Sequence, residues 1–142
     1  MQARAQAEED PETGSLGIRR ARSEDVPLVT ALDAKVTGLA KPDYWRDVFE
    51  RYGERRLDER FFLIAEIVGQ DRRDPILGFI VGEVRAWEFG SQPCGWVFGF
   101  SVEPEARLKG VGTHLFEAIA AEFKGAGVDK MRKKRSSRRR SP

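Results

Sequence analysis

One stretch of sixteen residues, Phe100 to Leu115 (FSVEPEARLKGVGTHL), constrains the fold of this chain more than any other. An apolar run closes at Val102, Pro104 breaks it, and a charged loop with two glycines follows. Apolar residues then recur at helical spacing, so that Gly112 to Lys124 reads as a helix burying Leu115, Phe116, Ile119, Ala120 and Phe123, ended by Gly125 and Gly127. The pattern is strand, loop, helix. Gly110 and Gly112 let the backbone turn with unhindered amides at the helix N-terminus. Such an end carries free N–H donors and about half a positive charge, which suits a phosphate or pyrophosphate. Arg107 and Lys109 bracket the loop and add charge-assisted donors. The Gly110-to-Leu115 run lacks the third glycine of a dinucleotide fingerprint and sits late in the chain, not in an opening βαβ unit. It also lacks the Gly-Lys-Ser/Thr close of a P-loop.

Upstream, Leu16 to Arg22 reads as a short strand carrying Leu16 and Ile18. Ser23 follows as a helix N-cap, with Glu24 and Asp25 at the positive end of the dipole and Pro27 tolerable in the first turn. The helix it opens is expected to bury Val29, Leu32, Val36 and Leu39, with Gly38 near its end. A second helix, DYWRDVFERYG, places Tyr44, Trp45, Val48, Phe49 and Tyr52 at helical spacing and stops at Gly53. Three strands come next: Phe61 to Val68, Ile76 to Phe89 and Trp96 to Val102. Breaker-rich turns at 69–75 and 90–95 make them an antiparallel meander. Gly78 and Gly82 fall on one face of the middle strand. The element order is β-α-α-β-β-β-α, an α/β fold with a mixed sheet.

With 142 residues the chain is expected to form one domain. Hydrophobic content of 40% and charged content of 34% exclude collagenous, coiled-coil and membrane classes. No apolar run approaches the roughly 18 residues that span a bilayer. Residues 1–14 are polar, without an apolar signal core, and read as a disordered arm. The single cysteine, Cys94, excludes a disulfide framework and suits a reducing compartment, so a cytoplasmic location is expected. No Cys, His and carboxylate cluster has metal-ligand spacing. The net charge of +2 hides an asymmetry. Eight of the 25 basic residues lie in the last thirteen positions, leaving 17 basic against 23 acidic in the rest. The high pI therefore belongs to residues 130–142, of which 131–142 are read as a basic disordered tail.

The register Val102-x-Pro104-x-x-Arg107-x-x-Gly110-x-Gly112 resembles the signature of the GNAT superfamily of N-acetyltransferases, a (Q/R)-x-x-G-x-(G/A) loop after a V-x-P strand end. The element order resembles the first two-thirds of that fold, and the likeness runs from Leu16 to Lys130. It implies acetyl transfer from acetyl-CoA to a primary amine. On that resemblance the strand end at Phe100, Ser101 and Val102 bonds the pantetheine arm through its backbone. Arg107, Leu108, Lys109, Gly110, Val111, Gly112 and Thr113 cradle the pyrophosphate, and an amide near Phe100 stabilises the tetrahedral oxyanion. The family's general base is often a Glu. Glu83 interrupts an apolar strand and is the candidate here, with a pairing to Arg85 on the same face as the simpler account. Glu103 reads as a solvated rim carboxylate, His114 as a surface residue and Cys94 as incidental. The aromatic set of the second helix reads as packing, although the resemblance puts that helix beside the acceptor site.

A full GNAT domain continues with a fifth strand parallel to the fourth, a further helix and more strands. Here Val128 opens such a strand before the composition turns to Arg, Lys and Ser. The domain is accordingly bounded at 15–130 and expected to lack most of the C-terminal strand–helix–strand portion. An uncovered fourth-strand edge favours self-association into a homo-oligomer. The rival reading is a catalytically inactive GNAT-like remnant or binding module whose 130–142 tail contacts nucleic acid or another polyanion. No membrane partner is expected, and the residues do not identify the acceptor.

Overall fold

Five strands pair in chain order into one sheet in the computed structural model, which describes residues 15–68, 76–85, 92–128 and 131–133, without the side chains of 107–109, 132 and 133. These are β1 (Leu16–Arg20), β2 (Arg60–Ile67), β3 (Gly78–Arg85), β4 (Cys94–Val102) and β5 (Met131–Lys133). The first four are antiparallel, and β5 runs parallel to β4 through Gly95↔Met131, Trp96↔Arg132 and Val97↔Lys133. Three helices flank them: α1 (Val26–Thr37), α2 (Pro42–Tyr52) and α3 (Val111–Gly125). The mixed α/β order expected from the sequence is the order observed.

Strand alternation sorts the core into two layers. Phe61, Leu63, Ala65, Ile80, Val97 and Val102 face α3 and pack on Leu115, Ile119 and Phe123. Phe62, Ile64, Phe79 and Val81 face the other way, onto Val29 and Leu32 of α1 and Trp45, Val48 and Phe49 of α2. The helix α3 lies close on the sheet because β3 and β4 place glycines where Ile119 and Phe123 approach them. A Cβ on Gly82 would meet Ile119 and Phe123 at 3.1 Å, and Phe123 also fills the space a Cβ on Gly95 would need. Phe116 and Ala120, expected in the core, are only partly buried at its margin.

Between Val81 and Gly82 the β3–β4 register slips by one, because Val81 pairs with Gly99 and Gly82 with Val97. The extra residue, Phe98, is a β-bulge, and one added residue reverses which face the rest of the strand presents. Phe98 thereby turns to the α2 side, its ring 4.7 Å from that of Tyr52. Phe100 and Val102 return to the α3 side, where Phe100 stacks on Phe116 at 4.7 Å.

Four expectations need correction. Asp25, not Ser23, caps the turn into α1: its carboxylate accepts the Arg22 N–H at 2.7 Å and a bidentate pair of N–H donors from Arg19 at 2.7 and 2.9 Å. A three-residue 3-10 turn at Ser23–Asp25 moves the acceptor to the third position. Burial raises and the Arg19 guanidinium lowers the Asp25 carboxyl, which ends below its ordinary range. Val36 and Leu39 are exposed at 42% and 63%, because α1 buries Val26, Thr30 and Asp33 beside Val29 and Leu32. Asp33 takes the inward position since the Trp45 indole N–H donates to it at 3.1 Å and Lys41 pairs with it at 3.2 Å, tying α1 to α2.

The start of the fifth strand, expected at Val128, also shifts. Val128 is buried beneath the sheet, its N–H donating to the Phe123 carbonyl, and the fifth strand begins at Met131. Consecutive cations argue against a strand on composition alone, yet the open side of Gly95–Val97 supplies a partner. That edge is therefore covered over three residues. The arm 1–14, the turn 69–75, the strand end and turn at 86–91, Asp129, Lys130 and residues 134–142 lie outside the described residues, as does any nucleic-acid contact of the tail. Among the described residues no helix is long and apolar enough to cross a membrane.

Candidate active site

The strand end, the loop and the start of α3 converge on one cleft. Its volume is about 340 Å³, and it is lined by Phe100, Ser101, Val102, Gly110, Gly112 and Thr113, with Val36 of α1 as the opposite wall. Six of the positions implied by the loop resemblance thus meet around a single space. Val36, placed in the core by its spacing, belongs instead to this wall, and nothing in the sequence separates the two roles. Val111, also expected here, is buried beneath the cleft among the α3 core residues. The backbone of Arg107, Leu108 and Lys109 follows Pro104 in a 3-10 turn leading to the cleft.

Gly110 is the N-cap of α3 with φ +76° and ψ 17°, the left-handed region that costs an L-residue about 1–2 kcal/mol. That turn sets the start of α3 beside the strand end, with Gly112 against Phe100 and Val102. No carboxylate lies in the first turn of α3, so the positive end of its dipole is not locally cancelled. The Gly110 carbonyl accepts two donors from His114, the backbone N–H at 3.1 Å and the ring Nδ1–H at 2.8 Å. His114, expected as a surface residue, is half-buried and tied to the loop. Gly112 is confined by approach rather than by dihedral angle: a Cβ there would lie 3.2 Å from Phe100 Cζ and 3.6 Å from Val102 Cγ2.

Glu103, just past β4, is held by Lys35 of α1 at 2.9 and 3.0 Å, and its backbone N–H donates to the Leu77 carbonyl at 2.7 Å. This clasp fixes the strand end against the helix that supplies Val36. Glu83 sits elsewhere. It lies opposite Trp96, does not line the cleft, and is 8% exposed. Its Oε2 accepts from Arg85 Nε at 2.7 Å and its Oε1 pairs with Arg60 Nε at 3.3 Å. Of the two accounts open for Glu83, the pairing with Arg85 is the one observed. The hydrogen bond that Arg85 donates to Glu83 raises its guanidinium above the ordinary range. The Arg60 partnership went unforeseen; only the Arg60↔Glu83 register, invisible before the strands are paired, brings them together. Trp45, Phe49 and Tyr52 pack in the core as expected, whereas Tyr44 is 48% exposed at the α1–α2 junction. Among the described residues no His, Cys and carboxylate group could hold a metal ion.

A mixed sheet whose fourth strand runs into a glycine-turned helix N-terminus defines an α/β acetyltransferase frame. The chain belongs to the acetyltransferase (GNAT) family, whose sequence profile matches residues 26–137, and is an N-acetyltransferase. No curated protein matches it in sequence. Solved structures share its fold at low identity. The aminoglycoside N-acetyltransferase AAC(6')-Iy in complex with CoA superposes with a TM-score of 0.72 at 19% identity, over 90% of this chain and 82% of that one. A ribosomal-protein-alanine N-acetyltransferase from Brucella melitensis biovar Abortus 2308 gives 0.66 at 16%, over 87% and 82%. Glucosamine-6-phosphate N-acetyltransferase from Arabidopsis thaliana gives 0.68 at 17%, over 86% and 83%.

Proposed function

We propose that the chain transfers an acetyl group from acetyl-CoA to a primary amine, with the cleft between the β4 end and α3 as the coenzyme site. The observation that carries this reading is the meeting of the Phe100–Val102 strand end with the Gly110–Thr113 helix start around one cleft. The amides of Val111, Gly112 and Thr113 and the α3 dipole hold the pyrophosphate, with Arg107 and Lys109 nearby in the chain. The backbone of Phe100, Ser101 and Val102 bonds the amide groups of the pantetheine arm. That AAC(6')-Iy was solved with CoA supports the choice of donor.

The neutral amine attacks the thioester carbonyl and the C–N bond forms. An amide near Phe100 stabilises the oxyanion; the C–S bond then breaks, and the departing sulfur takes the proton that the nitrogen loses. Glu83 serves as the counter-ion of Arg60 and Arg85, because its oxygens are engaged by both guanidiniums. The reaction is assigned to the cytoplasm on the single-cysteine argument, with no metal required. Steady-state release of free coenzyme A thiol in the presence of amine acceptors tests the proposal. Amine-dependent release is expected. A folded chain that releases thiol with no acceptor across amino acids, amino sugars, peptides and polyamines would overturn it.

A further inference from the structure

The bulge at Phe98 lies two residues along β4 from the Phe100 wall of the coenzyme cleft, and its ring packs on a tyrosine that arginines cover. From Val102 back to Phe98 is four residues of β4, about 13 Å of extended strand, comparable to the reach of an extended pantetheine arm. An acyl group carried along β4 from the α3 N-terminus therefore arrives beside Phe98. The Phe98 ring packs on Tyr52 at 4.7 Å. Tyr52 in turn has the Arg60 guanidinium over its ring at 4.8 Å and the Arg51 guanidinium at 5.6 Å, and Arg60 meets Arg85 at the Glu83 carboxylate.

Among the described residues the charge around this ring does not balance. Arg60 and Arg85 share one carboxylate, that of Glu83, while Arg51 pairs with Asp47 at 2.9 Å. Three guanidiniums thus face two carboxylates among the described residues. The buried Arg60 Nε, although near Glu83, makes no hydrogen bond. Arg85 and Arg51 both reach water, their side chains 54% and 49% exposed, but Arg51 has Asp47 as its own partner whereas Arg85 shares Glu83. An exposed guanidinium backed by a second one is a fork for a carboxylate or a phosphate and repels a second ammonium.

We propose that the acceptor is an amine that also carries an anionic group, a carboxylate or a phosphate, bound by Arg85 with Arg60 behind it. Polycationic amines are disfavoured. The inference rests on the coenzyme cleft assigned above, since that assignment brings the acyl group to Phe98. It does not rest on Glu83 acting as a base. Arg85 selects the acceptor by its charge, and the bulge sets the separation between anion and amine.

Matched probes test this: β-alanine against propylamine, phosphoethanolamine against ethanolamine, and spermidine as the polycation. Each is titrated by calorimetry into the chain with and without acetyl-CoA, and each is assayed for turnover. The anionic member of each pair is expected to bind and react about tenfold better or more, the difference one charged hydrogen bond makes. Arg85→Glu should erase that preference and Arg85→Lys should keep part of it, with acetyl-CoA affinity unchanged in both. Arg85 is mostly solvent-facing, so both variants are expected to fold. The inference fails if propylamine, ethanolamine or spermidine is bound as well as the anionic amines, if none of the anionic amines binds, or if Arg85→Glu weakens every probe equally. Loss of acetyl-CoA binding by the unmodified chain would instead sink the coenzyme assignment. Anion selectivity is then judged on the unloaded chain, where abolition by Arg85→Glu upholds the arginine site and an unchanged titration overturns it.

Discussion

Replacing Gly110 by alanine isolates the strain of the turn that opens α3. Gly110 has φ +76°, and a Cβ built there finds nothing nearer than the His114 ring at 3.8 Å. The loss is therefore conformational and not steric. An L-residue in the left-handed region loses about 1–2 kcal/mol, partly offset by the roughly 0.4–1 kcal/mol that alanine gains by restricting the unfolded chain. The net expectation is a destabilisation of about 1 kcal/mol, or roughly 3–5 °C in Tm for a chain of this length. Gly125→Ala is the control. It makes the same chemical change at the last residue of α3, where φ is not positive and nothing lies within 4 Å of the new methyl group. There the helix gains up to about 1 kcal/mol. Urea denaturation of both variants measures the contrast, and calorimetry with acetyl-CoA measures its consequence, since relaxing the turn swings the first amides of α3 away from the cleft. If Gly110→Ala matched Gly125→Ala in stability and kept wild-type coenzyme affinity, the account of the turn would be wrong.

Three further outcomes follow from the contacts. Asp25→Asn breaks a buried pair and should lower stability at neutral pH by about 2–3 kcal/mol, with Glu66 retaining part of the hold on Arg19. Because the folded Asp25 carboxyl sits below its ordinary range, its contribution is complete above that range and is lost as pH falls through the lowered value; the wild-type and Asn unfolding curves should converge as the pH drops below the ordinary carboxylate range. Glu83→Gln should destabilise by about 1–3 kcal/mol while leaving the acid limb of the rate–pH profile in place, whereas loss of that limb at unchanged stability would mark Glu83 as the base. His114→Ala should weaken acetyl-CoA binding about fivefold by releasing the Gly110 carbonyl, and His114→Asn, whose amide can donate from the same place, should restore most of it.

Much of this was legible because short-range pattern and long-range register agreed. The run from Val102 to Gly112 could be read because each residue answers a local demand: a strand end, a break, a turn, a helix start. The second helix and the α3 core residues Leu115, Ile119 and Phe123 were legible from periodicity alone. Periodicity failed where two faces of a helix compete. The stripe through Val36 and Leu39 is as apolar as the one through Val26 and Val29, and only the Asp33–Trp45 bond and the cleft decide between them. The cap moved from Ser23 to Asp25 because Arg19, six residues earlier on β1, rewards the carboxylate. The bulge at Phe98 and the Arg60–Glu83 pair depend on strand register, which no single segment encodes. The fifth strand was obscured by its charge, since its pairing partner lies more than thirty positions away on β4.

The central claim is that the Phe100–Val102 strand end and the α3 N-terminus together form a coenzyme site. Calorimetric titration of acetyl-CoA into the folded chain, beside Gly112→Trp, tests it most directly. A Cβ on Gly112 would already lie 3.2 Å from Phe100 and 3.6 Å from Val102, so the indole must fill the cleft beside them. Saturable one-to-one binding that the variant loses, with its circular dichroism unchanged, is the predicted result. A folded wild-type chain that does not bind, or a Gly112→Trp variant that binds equally well, would contradict the account.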